Sequence, residues 1–124
     1  MKRHLIAALM FGLALMAANG VSAGPFEVGN EAHQRGDIAT AVKWYRLAAA
    51  QGHQMAQHYL GFFYRSGWSV PVDYVLAHMW YNLSGYHSQF YGPLGLQAQM
   101  TPSQIEKAQD MARKCLASNF KQCD

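Results

Sequence analysis

The most constraining feature of this 124-residue sequence is a residue pattern that recurs after 36 residues. Two segments carry acidic, small, aromatic and aliphatic residues in the same order. The first set is Asp37, Ala41, Trp44, Tyr45 and Leu47, and the second is Asp73, Ala77, Trp80, Tyr81 and Leu83. A constant offset of this size predicts stacked helix pairs, in which each repeat buries its apolar face against its neighbour. We therefore expect an all-α fold.

Residues 1–23 are predicted to be a secretory signal peptide. Lys2 and Arg3 precede an apolar run over residues 5–18, and Val21-Ser22-Ala23 offers a small-x-small cleavage site. The run is shorter than the roughly 20 residues of a membrane span, which favours cleavage over retention as an anchor but leaves both open. We expect a periplasmic or secreted protein with no stable membrane insertion after cleavage, whose mature part, residues 24–124, is one domain.

The net charge bears on nucleic-acid binding, and the two cysteines bear on disulfide formation and thiol catalysis. Removal of Lys2 and Arg3 leaves a net charge of about +1, whereas nucleic-acid binding requires clustered basic residues. No nucleic-acid partner is therefore expected. An exported chain meets an oxidising compartment, so its two cysteines, Cys115 and Cys123, are predicted to form a disulfide. A catalytic thiol has no supporting motif.

Capping residues mark several helix boundaries. Asp37 and Asp73 suit N-cap positions, and Gly36 suits a left-handed helix end. Thr101, Pro102 and Gln104 form a helix-start signal of the capping-box type. This closing helix should bury Ile105, Ala108, Ala112, Cys115 and Leu116. Residues 87–100 show no clear period and are predicted to be a connection that could include one irregular turn. Small residues are expected where helices cross closely, at Ala48, Ala49, Ala56 and Gly61.

An ordered string of residues between 48 and 81 resembles the Sel1-like repeat, a relative of the tetratricopeptide repeat. It reads Ala48-Ala49-x-Gln51-Gly52, Ala56-Gln57-x-x-Leu60-Gly61-x-x-Tyr64-x-x-Gly67, Val70-x-x-Asp73 and Ala77-x-x-Trp80-Tyr81. The ending MTPSQIEKAQDMARKC is similar to the closing helix of exported bacterial members. One departure is the loop Gly67-Trp68-Ser69-Val70, which has Ser69 where the family usually has a second glycine.

The resemblance implies a short α/α solenoid of Sel1-like, tetratricopeptide-like helix pairs with a C-terminal capping helix. It divides the mature chain into a partial repeat at about 26–52, a full repeat at about 53–86, the connection 87–100 and a capping helix at 101–119. It also implies an adaptor for other proteins in the bacterial periplasm or exterior. The family has no common catalytic residues to carry over.

No motif in the sequence indicates a catalytic, metal or cofactor site. The histidines lack the i, i+4 spacing of a helical metal pair, and no carboxylate cluster accompanies them. Asp37 and Asp73 are already explained as helix caps, and no serine lies in a nucleophile-elbow context. We therefore expect no catalytic residue, no metal and no cofactor.

A partner-binding face is predicted on the first helices of the two repeats. Phe62 falls between the packed positions of its helix, with His58 and Arg65 on the same side, and Asn30 and His33 occupy the matching side of the earlier helix. Mixed aromatic, cationic and amide chemistry suits protein or peptide recognition, whereas the alternative is an ordinary solvated face.

The sequence therefore leaves three candidate functions. The first is a non-enzymatic protein-protein interaction module. The second is a small cell-envelope hydrolase acting on wall material, with residues 86–100 as a substrate loop or lid. The third is a structural, self-associating subunit, suggested by a charged fraction of only 14% against a typical value of about 25%.

Overall fold

A computed structural model of the protein describes residues 23–85 and 92–124. The described ranges contain six helices: α1 Pro25–Gln34, α2 Ile38–Ala49, α3 Gln54–Ser66, α4 Tyr74–Ser84, α5 Pro93–Gln97 and α6 Pro102–Ala117. The predicted signal peptide, residues 1–23, lies outside the described residues except for Ala23. Part of the predicted connection, residues 87–91, also lies outside them. None of the described helices is both long and apolar enough to cross a membrane.

Side-chain caps start the helices where the sequence predicts. The carboxylate of Asp37 accepts from the backbone N–H of Thr40, and that of Asp73 accepts from the N–H of Leu76. Thr101 and Gln104 complete the predicted capping box at the start of α6. These contacts satisfy N–H groups that the first turn of a helix leaves without intrahelical partners.

Each of the first four helices packs against the next in the chain, and α6 packs on α4. The core between them is continuous and rich in aromatic and small side chains; its fully buried members include Tyr45, Leu60, Phe63, Met79 and Tyr81. Sequential helix pairs with a closing helix confirm the predicted all-α solenoid with a C-terminal cap.

The same glycine–tyrosine crossing occurs in both helix pairs. A Cβ on Gly29 of α1 would lie 2.9 Å from Cδ1 of Tyr45 on α2, and a Cβ on Gly61 of α3 would lie 2.6 Å from Cδ1 of Tyr81 on α4. Both distances are below any real Cβ contact, so each glycine admits a tyrosine ring against the helix backbone. This close approach is what the sequence predicted for Gly61.

The chain ends in a tail that is tied to α6. A disulfide joins Cys115 to Cys123, with a Cα–Cα distance of 4.4 Å. Within the tail, Phe120 reaches back to the turn between α2 and α3, where its ring lies against Gly52. The tail therefore links the last helix to the middle of the molecule.

Two sequence-based expectations need correction. Leu116 is 57% exposed, not buried on the inner face of α6. The inward positions 108, 112 and 115 follow one narrow stripe, and Leu116 lies one residue beyond it. The described part of the connection also contains a full helical segment, α5, whose Leu96 is completely buried.

Candidate functional site

The five residues of the predicted contact face lie on two helices. Asn30 and His33 are on α1, and His58, Phe62 and Arg65 are on α3, and all five side chains are half-buried. The spacing on each helix, three or four residues, places the members of each set on one side of that helix. We use "contact face" below for these five residues.

His33 lies at the centre of a group of aromatic rings. Its Nδ1 is 3.2 Å from the hydroxyl oxygen of the buried Tyr45. Its ring stands edge-on to Tyr45, Tyr59, Phe63 and Trp68, with centroid distances between 5.4 and 6.2 Å. Edge-on contacts are favourable because they set the positive edge of one ring against the negative face of another. His33 is therefore held in one orientation by packing from α2, α3 and the following loop.

Burial fixes the protonation state of the tyrosine beside His33. It raises the pKa of Tyr45 to about 12, and the neighbouring Tyr59 adds to the rise. The Tyr45 hydroxyl is thus protonated at any physiological pH and is able to donate to an unprotonated Nδ1 of His33.

Trp68 joins the contact face from the loop between α3 and α4. Its side chain is 49% exposed, and its ring lies edge-on to His33 at 6.1 Å and to Phe62 at 6.4 Å. The flanking residues Gly67 and Ser69 have φ of 72° and 60°, in the left-handed region. This backbone path turns the indole back towards α1 and α3. We call His33, Phe62 and Trp68 the aromatic patch.

The sequence did not assign Trp68 to the contact face. The available signal was that Trp68, unlike Trp44 and Trp80, has no counterpart at the repeat spacing. An aromatic residue outside the repeated core positions is free of the packing role that accounts for the other two.

His58 and Arg65 belong to a second part of the contact face, around Tyr81. The rings of His58 and Tyr81 are 5.5 Å apart. Burial raises the pKa of Tyr81, and the positive charge of Arg65 offsets part of that rise. Burial lowers the pKa of His58. His33 and Phe62 thus both contact Trp68, and His58 and Arg65 both interact with Tyr81, while Asn30 lies one turn before His33 on α1.

Potential metal-ligating side chains are not clustered in the part of the chain that the structure describes. No three His, Cys, Asp or Glu side chains are close enough there to hold a metal ion. The pKa of Asp37 is lowered by its hydrogen bonds to Thr40, as expected of a cap.

A comparison with protein-family models matches the chain to the Sel1 repeat over residues 7–53 and 54–87. The two matched stretches cover well over half of the chain, and the first begins within the segment predicted as a signal peptide. No curated protein and no solved structure matches the chain significantly.

Proposed function

The chain belongs to the Sel1 repeat family, whose repeats are generally protein–protein interaction modules, and on that premise we propose that it is a non-enzymatic adaptor. Its partner is a protein or peptide bound at the contact face, with Trp68 as an additional anchor.

The observation that supports this proposal best is the half-exposed Trp68 held against His33 and Phe62. Exposed aromatic side chains that are already fixed in position are typical anchors of protein interfaces, because they bury a large area and lose little conformational freedom. The ring centroids of Trp68 and the buried Phe63 are also 6.1 Å apart, so the indole packs against the core.

The polar members of the contact face add selectivity to this apolar anchor. Asn30, His58 and Arg65 carry amide, imidazole and guanidinium groups, which suit the carbonyl and carboxylate oxygens of a polypeptide. A central aromatic anchor with a polar surround is the common arrangement of a protein-binding surface.

We place this module in the bacterial periplasm or exterior. The predicted signal peptide supports this location, and so does the disulfide between Cys115 and Cys123, since disulfides persist in oxidising compartments. This location is tested by expressing the full-length chain, checking whether it is secreted, and sequencing the N-terminus of the mature form.

The test of binding is capture of partners from a bacterial envelope extract by the tagged chain and by its Trp68→Ala and Phe62→Ala variants. We expect one retained protein that both variants lose by at least about tenfold, because hot-spot aromatics contribute roughly 2 kcal/mol or more. Calorimetry with the purified partner then measures its affinity for the chain.

Leu116→Ala is the matched control, since Leu116 is similarly exposed but lies on α6. It should retain the partner fully. Equal retention by all variants would place binding elsewhere, and a large drop in the melting temperature of Phe62→Ala would make Phe62 a core residue.

The hydrolase alternative receives no support from the described part of residues 86–100. A lid must leave its closed position, but Leu96 of α5 is fully buried and Gln97 is hydrogen-bonded to the buried His78 of α4. Self-association would appear as a mass that rises with protein concentration, which sedimentation of the purified chain measures.

A further inference from the structure

A second surface lies between α2 and the loop that follows α3. It is a cleft of about 430 Å³ lined by residues Ala39, Val42, Lys43, Arg46, Leu47, Ser69 and Val70. Its helical wall uses positions i, i+3, i+4, i+7 and i+8, which form one face of α2. None of these residues belongs to the contact face or to the aromatic patch.

The floor of this cleft is apolar and accessible. Leu47 is 47% exposed, although its counterpart in the next repeat, Leu83, is half-buried. The packing around the two helices differs: α6 packs on α4, whereas the main packing partners of α2 are α1 and α3. Within residues 23–85 and 92–124, the face of α2 that carries Leu47 is exposed.

The edge of the cleft carries two positive charges. Lys43 and Arg46 are both exposed, and among the described residues the ion pairs join Asp110 to Arg113 and Lys114 only. No carboxylate lines the cleft. Two cations beside an apolar floor, with no acid to neutralise them, are complementary to a negatively charged ligand.

One of these cations is held in place before any ligand arrives. The Arg46 guanidinium donates a hydrogen bond to the hydroxyl of Tyr64 and lies 5.7 Å from the centre of that ring. Tyr64 is itself buried on α3. A guanidinium fixed in this way loses less conformational freedom when it binds a carboxylate than a free side chain would.

The opposite wall is formed by the loop that follows α3. Ser69 has φ of 60°, a left-handed conformation that a serine adopts at a cost of roughly 1 kcal/mol or more. The same loop sends Trp68 to the aromatic patch and Ser69 and Val70 to the cleft. The two surfaces therefore share one loop.

We infer that this cleft binds a polypeptide segment of a partner protein in which apolar side chains are flanked by aspartate or glutamate. The apolar side chains fill the space over Val42, Leu47 and Val70. The acidic side chains pair with Lys43 and Arg46, and Arg46 is able to bind a carboxylate through two parallel N–H groups.

The test uses a random library of twelve-residue displayed peptides, selected on the full mature chain and counter-selected on a Lys43→Glu, Leu47→Ser double variant. We expect enriched peptides that carry one or more apolar residues with acidic neighbours. Synthetic versions should bind at least about tenfold more weakly to the double variant, and binding should weaken as salt is raised.

A matched double variant on α6, Lys107→Glu with Leu116→Ser, makes the same chemical changes at exposed positions outside the cleft and should bind normally. Trp68→Ala should also bind normally, which separates this surface from the aromatic patch. Circular dichroism of each variant confirms that it remains folded.

Three results would overturn the inference. They are the recovery of no enriched peptide, peptides that lack acidic residues, and peptides that bind the cleft variant as well as the parent chain. A concentration-dependent dimer that only the cleft variant abolishes, without peptide enrichment, would reassign the cleft to contact between copies.

Discussion

Gly61 shows how a single missing methyl group sets the spacing of two helices. Glycine within a helix costs about 1 kcal/mol relative to alanine, so an alanine at an open position would stabilise α3. Here the added Cβ would overlap the ring of Tyr81, which is completely buried. We expect Gly61→Ala to lower the free energy of unfolding by about 1–2 kcal/mol, because overpacking outweighs the gain in helix propensity.

Urea denaturation of Gly61→Ala measures this loss. Gln54→Ala, an exposed substitution at the start of the same helix, serves as the control and should change stability by less than about 0.5 kcal/mol. A more stable Gly61→Ala protein would show that the Tyr81 ring moves aside.

Individual residues were predictable where one local interaction determines their conformation. Asp37 and Asp73 could be identified as caps because an N-cap needs only the backbone three residues ahead. The cap formed by Nδ1 of His53 was not expected, since histidine is an unusual N-cap. The position of Trp68 could not be read from sequence either, because it depends on the left-handed backbone of Ser69 and on the neighbouring helix α1.

At the scale of elements, the disulfide determines how the tail is held. It closes a short loop with a sequence separation of 8 between Cys115 and Cys123. Loop-closure entropy predicts that Cys123→Ser lowers the free energy of unfolding by about 2.5 kcal/mol, which is the model value for a loop of this length. The variant should also loosen Phe120 from the turn at Gly52.

Thermal unfolding with and without a thiol reductant tests this prediction. The reduced parent chain should have the same melting temperature as Cys123→Ser. Reductant should not change the melting temperature of the variant. A parent chain whose melting temperature is unchanged by full reduction would show that the bond adds no stability.

The repeated elements could be predicted because their pattern recurs, and the unrepeated ones could not. The helix pairs follow from the 36-residue offset, but α5 has no periodic signal over its five residues. Leu116 was misplaced because the closing helix was expected to bury a wide apolar stripe, whereas its buried residues, Ala108, Ala112 and Cys115, form a narrow one.

At the scale of the whole molecule, two binding surfaces are built on one loop. The loop over residues 67–73 contributes Trp68 to the aromatic patch and Ser69 and Val70 to the cleft. A single partner chain could therefore contact both surfaces, or two partners could bind side by side. Which of these holds is decided by whether a peptide selected on the cleft competes with a partner captured through Trp68. The contact face stays a prediction made from helix positions outside the repeated packing pattern, whereas the cleft depends on which helices cover one another.

The stability of the whole molecule should depend on pH through a buried histidine. His78 is fully buried, and its two ring nitrogens each lie 3.1 Å from a side-chain amide, one from Asn82 of α4 and one from Gln97 of α5. Burial lowers its pKa from the ordinary value of 6.5. Because the unfolded chain then binds a proton that the folded chain does not, stability is greatest above pH 6.5 and falls as the pH drops towards the folded-state pKa.

We expect the free energy of unfolding to fall between pH 7.5 and 5 by up to about 1.4 kcal/mol per pH unit for each such histidine. His58, whose pKa burial also lowers, contributes with the same sign. The exposed carboxylates with lowered pKa, Asp37 and Asp110, titrate below this window. Urea unfolding at several pH values compares the parent chain with His78→Gln, which cannot take up the proton. The variant should show a shallower slope even if it is less stable at every pH, and an identical slope in both proteins would exclude His78 as the source.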